Sequence, residues 1–391
     1  MDDLLARAVQ DEFEDAVQMR RHIHQHPELS FQETQTTAYI DGKLRAFGFS
    51  PKPLSGTGLI CDIGEAGGHS ILLRADIDAL PMQEETGLPF SSENPGVMHS
   101  CGHDLHTANL LGVAKILSKH PEWIRGRIRL LFQPAEELFP GGARAAIKDG
   151  VTDGMDAVYG MHVKPYLAWN EVSAREGRIT AATGGFKIRI KGVGGHGASP
   201  HLLKDPVLAA CSLVTALQSI VSRNLNPVES GVISTCMIHG GTKGNIMPET
   251  VELEGTIRGS SKEVRSFLEK RICEMADDTA HAFACSAVTS LSTDGYDPVC
   301  NDAECTKKAL CAFGKLSSSS VRILPPEMGG EDFAYYEEVI PGCFFHVGYS
   351  TDAEHPAAPQ HSPHMIADER LLLTSMEAFL RVLVEENVLE V

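Results

Sequence analysis

Apolar runs alternate with helical stretches through the first part of the chain, and this alternation is the strongest constraint on its fold. Strands are predicted over residues 70–79 (SILLRADIDA), 127–133 (RIRLLFQ) and 157–162 (AVYGMH), and helices over 1–48 and 105–119. Strands and helices in alternation are typical of a doubly wound, largely parallel sheet. The sequence therefore predicts an α/β fold with a mostly parallel sheet.

The pattern changes at about residue 183. From there the sequence predicts, in order, the strand GGFKIRIKG, an amphipathic helix over 206–224, the strands GVISTCMIHG and TVELEGTIRG, a helix over 261–283 and the strand CSAVTSLST. This βαββαβ order is the split, ferredoxin-like arrangement. After about residue 296 a helix, short strands such as CFFHVGY and a closing helix over 367–387 resemble the first part again. We predict an α/β domain over 1–182 and 296–391, interrupted by an inserted domain over 183–295.

Charge and cysteine usage exclude several classes of protein. The 391 residues include 34 Lys and Arg against 52 Asp and Glu, a net charge of -18 without a basic stripe, so nucleic acid and anionic membranes are not expected as partners. Ten cysteines are scattered singly, which fits a reducing compartment better than a disulfide framework. With neither a signal-peptide pattern nor an uninterrupted apolar run of membrane-spanning length, we expect a soluble, cytoplasmic protein.

Three predicted strands lead directly into groups that bind metals or move protons. Residues 70–79 contain Asp76 and Asp78, residues 127–133 lead into Glu136 and Glu137, and the third strand ends at His162. Ligands bind outside the carboxyl ends of the strands in an open parallel sheet, so these groups are expected to converge in one crevice.

The segment HSCGHDLH (residues 99–106) adds a thiol and an imidazole to this set. Cys101 and His103 lie two residues apart, just before or within the first turn of a predicted helix. Together with carboxylates and further histidines from other loops, they form a mixed sulfur, nitrogen and oxygen set that suits zinc, manganese, cobalt or nickel.

The chain resembles peptidase family M20, and within it the branch of aminoacylases, hippurate hydrolases, N-acetyl-diaminopimelate deacetylases and auxin-conjugate hydrolases. The resemblance lies in ten runs that occur in the same order along nearly the whole chain. They are RRHIHQHPELSFQE at 20–33, LLRADIDALPMQE at 72–84, MHSCGHDLHTANLLG at 98–112, LLFQPAEE at 130–137, GMHV at 160–163, GGHGASPH at 194–201, GGTKGNIMPE at 240–249, GTIRG at 255–259, GGEDFAYY at 329–336 and HSPHM at 361–365.

This resemblance implies two divalent metal ions per subunit, with Mn²⁺ as the first expectation and Zn²⁺, Co²⁺ or Ni²⁺ as alternatives. The implied ligands are Cys101, His103, Glu137, His162 and His361. Where the wider family has a histidine on the first strand and a bridging aspartate, this chain has Arg74 and Cys101, as its amidohydrolase branch does. We expect Cys101 to bridge, Glu137 and His361 to hold one ion, and His103 and His162 the other.

The resemblance also assigns the acid-base chemistry. Glu136 matches the family's general base, the group that takes a proton from the attacking water and passes it to the leaving amine. Asp76 is expected to orient a metal ligand by hydrogen bonding. The simpler alternative for Asp76 is a turn residue at the end of a strand.

The inserted domain resembles the family's lid and dimerisation domain, which implies a homodimer. His196 matches a histidine that reaches the partner subunit's active site and stabilises the developing oxyanion. Asn245 and Arg258 match positions that bind the substrate, and a guanidinium suits its carboxylate. Gly330, beside Gly329, would let the backbone approach the ligand closely, although ordinary turn chemistry explains these glycines equally well.

The sequence thus predicts metal-dependent hydrolysis of the amide bond of a small N-acyl amino acid or related conjugate. Three alternatives remain open at this point. One is a dipeptidase or carboxypeptidase of the same family, and another is a noncatalytic metal-binding protein on this fold. The third is a thiol hydrolase with Cys101 as nucleophile, which leaves Glu136, Glu137, His162 and His361 without a role.

Overall fold

The computed structural model describes residues 3–65, 68–292, 295–352 and 354–391, and the chain divides into two compact units. Unit 1 consists of Met1–Gly177, Val299–Pro325 and Asp332–Val391, and unit 2 of Arg178–Pro298 and Pro326–Glu331. The inserted segment thus begins five residues before the predicted residue 183 and runs three past 295 (183 − 178 = 5; 298 − 295 = 3). A short later segment, 326–331, returns to unit 2.

The helices and strands of the described residues are numbered in chain order. The helices are α1 Leu4–Gln25, α2 Thr34–Ala46, α3 His103–Lys119, α4 Ala143–Lys148, α5 Pro206–Ser219, α6 Lys262–Ala282, α7 Ala303–Phe313, α8 Ala334–Glu337 and α9 Leu371–Glu385. The strands are β1 Lys52–Pro53, β2 Leu59–Ile63, β3 Ser70–Asp76, β4 Arg127–Gln133, β5 Ala157–Ala168, β6 Glu171–Ser173, β7 Gly177–Arg178, β8 Ala182–Lys191, β9 Gly195–His196, β10 Gly231–Gly240, β11 Ile246–Met247, β12 Thr250–Gly259, β13 Ser286–Leu291, β14 Cys300–Asn301, β15 Ser320–Val321 and β16 Gly342–Ser350.

Unit 1 is built on an eight-stranded sheet in the order β1-β2-β4-β3-β5-β16-β6-β15. The central strands β4, β3, β5 and β16 are parallel to one another, whereas β2 is antiparallel to β4 and β6 is antiparallel to β16. All seven residues of β3 are buried, as expected for a central strand covered on both faces. The predicted mostly parallel α/β sheet is confirmed.

The helix predicted over 1–48 is wrong between residues 26 and 33, where the chain leaves α1 and turns before α2. Pro27 lacks a backbone N–H and disfavours the helical conformation of the residue before it. Phe31 has a φ of 65°, and Leu29 pairs with Ala79 in a parallel bridge. Residues 1 and 2 of that predicted helix lie outside the described residues.

Unit 2 has the chain order β8, α5, β10, β12, α6, β13 and the sheet order β10-β12-β8-β13, with every neighbouring pair antiparallel. This confirms the predicted split βαββαβ arrangement. Its own core includes Ile188, Leu213, Leu253 and Leu268, all fully buried. The strand predicted to reach residue 293 is described to Leu291, and residue 293 itself lies outside the described residues.

One described helical segment, Pro206–Asn224, would be able to cross a membrane by length and composition alone. It comprises α5 and the π-helical turn Ile220–Asn224 that follows. Its buried residues include Ala209, Leu213 and Leu217, which belong to the core of unit 2. One face of this segment is therefore apolar because it packs into the core of unit 2.

A buried carboxylate fastens the end of α9 to the central sheet of unit 1. Glu386 is 1% exposed and accepts hydrogen bonds from the Tyr159 hydroxyl (2.5 Å), Lys308 Nζ (2.7 Å) and His69 Nε2 (2.8 Å). These partners lie on β5, on α7 and next to the start of β3. Glu386 therefore links the carboxyl-terminal helix to the strands that carry the candidate site.

We predict that Glu386→Ala destabilises unit 1 by about 3 kcal/mol, because it leaves the buried Tyr159 hydroxyl, Lys308 and His69 without their shared acceptor. The midpoint of thermal unfolding, measured by calorimetry, is expected to fall by roughly 6–12 °C. Glu386→Gln is the matched control, since its amide oxygen still accepts from Tyr159. Equal midpoints for Glu386→Ala and the wild type would contradict this role.

Candidate metal centre

The central parallel strands bring their polar ends to one edge of the unit 1 sheet. In β3, Asp76 is paired with Gln133, the last residue of β4, and Arg74 with Gly160 of β5. Glu136 and Glu137 lie just beyond the end of β4, in the loop that begins at Pro134. His162 lies inside β5, which continues to Ala168 and does not end at His162 as predicted. Parallel pairing therefore places these acidic groups and this imidazole at the same end of the sheet.

The five predicted ligands come together at this edge. The ligand atoms of Cys101, His103 and His162 all lie within 4.8 Å of one another. Those of Cys101, Glu137 and His361 do so as well, so Cys101 belongs to both groups. His103 also belongs to a third group, with Glu136 and Glu137.

His103 presents one ring nitrogen to this cluster. Its Nδ1 is 3.0 Å from the Asp78 backbone carbonyl and 3.1 Å from Asp78 Oδ1, so that nitrogen carries the proton. Its buried Nε2 has no hydrogen-bond partner in the described part of the chain and lies 3.7 Å from Asp76 Oδ2 and 4.0 Å from Glu137 Oε1. A buried ring nitrogen without a hydrogen-bond partner fits a metal ligand whose other nitrogen is fixed by a carboxylate.

The electrostatics of the cluster favour a bound cation. Burial lowers the pKa of His103, but the Asp76, Asp78 and Glu137 carboxylates outweigh it and raise that pKa to about 10. Burial and the neighbouring glutamates raise the pKa of the Cys101 thiol well above its usual value. A nucleophilic cysteine needs a lowered pKa, so the surroundings of Cys101 disfavour the thiol-hydrolase alternative and fit a thiolate that requires a cation beside it.

The other two histidines are fixed by the backbone. His162 Nδ1 faces the Val163 carbonyl at 3.0 Å, which leaves Nε2 directed at Cys101 Sγ, 3.4 Å away. Burial holds the pKa of His162 well below its usual value, so this ring is neutral, as a metal ligand must be. His361 has a φ of 59°, donates its backbone N–H to Ser100 O, and places Nε2 3.1 Å from Glu137 Oε1.

The carboxylate that hydrogen-bonds a predicted ligand is Asp78, to which the sequence analysis gave no role. Asp78 Oδ2 also accepts the backbone N–H of Glu137 (3.0 Å) and the Ser30 hydroxyl (2.7 Å). One side chain therefore orients His103 and anchors the loop that carries Glu137. The sequence signal was the alternation of Asp76 and Asp78, but it did not indicate which of them meets the histidine.

Asp76 makes its hydrogen bonds elsewhere. Its carboxylate accepts from Arg74 Nη1 (2.6 Å) and pairs with His106 Nδ1 (2.5 Å), and His106 Nε2 accepts the Val163 backbone N–H (3.2 Å). Asp76 is thus linked through His106 to Val163, the residue that follows His162 in β5. Arg74, fully buried, also donates to Asp332 and so offsets the negative charge at this edge.

Two of the predicted residues of unit 2 lie together on a short exposed ribbon. β9 and β11 pair antiparallel with His196 opposite Ile246, and the Gly197 N–H donates to the Asn245 carbonyl. The Ala198 N–H donates to His196 Nδ1 at 3.1 Å, so the ring proton resides on Nε2. His196 therefore presents an exposed N–H donor.

Arg258 and Gly330 lie in another part of unit 2. The Arg258 guanidinium is partly buried and donates through Nε to Met328 O and through Nη1 to Ile257 O and the Thr256 hydroxyl. A Cβ on Gly330 would lie 2.7 Å from Thr183 Cγ2 and 3.3 Å from a Tyr296 ring carbon. Close packing within unit 2 thus requires glycine at this position.

Comparison with known proteins assigns the chain to a family. Residues 72–385 match the peptidase family M20/M25/M40. The chain is 44% identical over 357 residues to an N-acetyl-L-cysteine deacetylase of Bacillus subtilis, covering 91% of this chain and 84% of that protein. It is 39% identical over 372 residues to the IAA-amino acid hydrolase ILR1-like 4 of Arabidopsis thaliana, covering 93% and 83%.

A solved structure agrees with this assignment. A dinuclear metal binding peptidase from the M20 family of Bacillus subtilis superimposes with a TM-score of 0.83 at 34% identity, covering 96% of this chain and 99% of that one. The chain belongs to the peptidase family M20/M25/M40. It is an amidohydrolase of that family, as its sequence indicated.

We predict that Cys101→Ala and His162→Ala each lower the metal content of the purified protein, because each removes a direct ligand. Metal per chain is measured by plasma mass spectrometry after purification without chelator. Cys211→Ala, at an exposed cysteine of unit 2, is the matched control and is expected to retain the wild-type content. Wild-type stoichiometry in either ligand variant would show that the ligand set is misassigned.

Proposed function

We propose that this protein hydrolyses the amide bond of small N-acyl amino acids or related amino-acid conjugates, with two divalent ions per subunit. The observation that carries the proposal is the pair of ligand groups that share Cys101, with Glu136 beside them. The names of the relatives, an N-acetyl-L-cysteine deacetylase and an IAA-amino acid hydrolase, support an acylated amino acid as the substrate.

Under this proposal, His103 and His162 hold one ion and Glu137 and His361 the other, with Cys101 between them. The donor set is mixed and borderline in softness, so it accepts Mn²⁺, our first choice, as well as Zn²⁺, Co²⁺ or Ni²⁺. Bound there, such ions supply Lewis acidity toward the acyl carbonyl and lower the pKa of water. Asp78 keeps the His103 Nε2 lone pair directed into the cluster.

Glu136 is the proposed general base. It is 6% exposed, and one of its oxygens lies within 4.8 Å of the ligand atoms of both His103 and Glu137. A carboxylate at this position takes a proton from water attacking the acyl carbon and returns it to the leaving amine nitrogen. The adjacent glutamates thus divide the work, because the loop directs Glu137 to His361 and leaves Glu136 beside the reacting atoms.

We predict that Glu136→Gln lowers kcat by about a hundredfold or more while metal content stays at the wild-type level, because the amide keeps the shape but cannot accept the proton. Turnover is followed as release of free amino acid from an N-acetyl amino acid. Glu137→Gln is the matched comparison and is expected to lose metal. The reverse pattern, with metal lost in Glu136→Gln, would mean that the two glutamates have exchanged roles.

We further propose that unit 2 mediates a homodimer and supplies His196 to the partner subunit's site. The tautomer of His196 supports this proposal. Because His196 Nδ1 accepts the Ala198 N–H, the ring proton lies on Nε2. An Nε2–H donor suits the oxyanion that forms as water attacks the acyl carbon. Asn245, beside His196 on the ribbon, and Arg258, through Nη2, are the proposed contacts to the substrate, with Arg258 directed at its carboxylate. Gly330 is proposed to allow close approach of the ligand to the backbone.

We predict that His196→Ala lowers kcat by about a hundredfold, because one donor to an oxyanion is typically worth about 3 kcal/mol, while metal content is unchanged. The test of action between subunits is to mix His196→Ala with Glu136→Gln under conditions that exchange subunits. If His196 acts on the partner, one site of each hybrid dimer carries both lesions and the other is intact.

Activity per hybrid dimer is then expected to return to about half of the wild-type value, because one of its two sites is intact. The matched control mixes each variant with itself through the same exchange, and neither mixture should gain activity. No recovery in the hybrid, with exchange verified by mass spectrometry, would show that His196 does not act across a dimer.

A panel of substrates separates the alternatives. N-acetyl, N-benzoyl and auxin-type conjugates are compared with dipeptides, with and without chelator. Preference for dipeptides would favour a dipeptidase or carboxypeptidase, and absence of metal-dependent turnover on every substrate would favour a noncatalytic metal-binding protein.

We also propose a cytoplasmic location. The ten cysteines are all free thiols, which supports this proposal.

A further inference from the structure

The loop that presents Glu136 contains a residue in a conformation that L-amino acids avoid. Ala135, between β4 and the two glutamates, has a φ of 56°, in the left-handed region. Only glycine enters this region without steric cost, so surrounding contacts must hold an alanine there. Ala135 is also fully buried, and its backbone groups therefore need partners inside the protein.

Hydrogen bonds from three parts of unit 1 hold this loop. The Ala135 N–H donates to Glu33 Oε1 (2.8 Å), and the Ala135 carbonyl accepts from the Gly142 N–H (2.9 Å). One residue beyond Glu136, the Glu137 N–H donates to Asp78 Oδ2 (3.0 Å). Glu136 thus lies between two backbone N–H groups that are each fixed by a carboxylate.

Glu33 is unusual among these partners because it is a fully buried acid with no part in the proposed reaction. Its second oxygen accepts from the Thr57 hydroxyl (2.6 Å), and its backbone stands at the start of α2. Burial raises the pKa of this carboxyl. Keeping an acid in such a place costs free energy that an apolar residue would not, so a specific contact has to account for it.

We propose that Glu33 is a positioning residue that holds Ala135 in the left-handed conformation and thereby aims Glu136 at the reacting atoms. The inference rests on the proposed function in so far as Glu136 is the general base. Glu33 belongs to none of the potential metal-ligand groups of the described residues. Without its acceptor, the Ala135 N–H is left unsatisfied and the strained backbone relaxes, which moves the adjacent side chain.

Two variants of similar volume separate the hydrogen bond from packing. Glu33→Gln keeps a carbonyl oxygen for the Ala135 N–H and presents its amide to Thr57, whose hydroxyl can also accept. Glu33→Met fills the space but offers only a weak thioether acceptor. Thr57→Val removes the other hydrogen bond of Glu33 and leaves the contact with Ala135. Glu33→Asp, which shortens the side chain by one methylene, replaces Glu33→Met if that variant does not fold.

We expect Glu33→Met to lower kcat by about tenfold to a hundredfold, the scale on which a displacement of about 1 Å affects catalysis, with KM and metal content near wild type. Metal content is expected to persist because Glu137 retains its separate bond to Asp78 and the other ligands are untouched. Glu33→Gln should recover most of the wild-type kcat. Thr57→Val should lose thermal stability with little loss of kcat.

Hydrogen-deuterium exchange of the peptide that covers residues 134–138 gives a readout that does not depend on activity. Faster exchange there in Glu33→Met than in Glu33→Gln or Thr57→Val supports the role of Glu33 even if the wild type hydrolyses no N-acyl amino acid. An inactive wild type would count against the proposed function alone.

Three results would overturn the inference about Glu33. The first is unchanged exchange at 134–138 in Glu33→Met, and the second is a kcat in Glu33→Met no lower than in Glu33→Gln. The third is a fall in kcat that simply follows loss of metal or matches that of Thr57→Val.

Discussion

Parallel pairing of β3 between β4 and β5 is the constraint on which the candidate site depends. The pairing brings the carboxyl ends of β3 and β4 beside the middle of β5, although these segments are far apart in sequence. A slip of one residue in β3 would turn its buried side chains, Arg74 and Asp76 among them, to the opposite face of the sheet. The positions of Asp76, Glu136 and His162 relative to one another follow from that register.

Gathering carboxylates at a buried edge is electrostatically costly, and the surrounding cations reduce that cost. Arg74 is fully buried and bonds Asp76 and Asp332. His103 lies among carboxylates that hold its pKa far above its usual value. The same excess of negative charge makes the cluster a favourable place for divalent ions, whose charge offsets the repulsion between the acids.

The two units divide the proposed work according to their architecture. Unit 1 carries the proposed ligands and base within β5, at the start of α3 and on the loops that hold Glu136, Glu137 and His361. Unit 2 is a separate ferredoxin-like sheet with its own core, and its predicted functional residues lie on an exposed ribbon, on strand β12 and at Gly330 in the segment 326–331. Such a unit can vary its surface residues, and with them substrate preference, without disturbing the metal ligands.

The sequence by itself determined the strands, the order of the inserted unit and the residue types that converge, because periodicity and strand ends are local properties of the chain. It missed the break at residues 26–33, although Pro27 was a visible signal. It did not indicate that Asp78 meets His103, that Asp76 pairs with His106, or that Glu33 reaches Ala135. Those contacts join residues 25 to 102 positions apart and depend on side-chain direction, which only the packed tertiary structure decides.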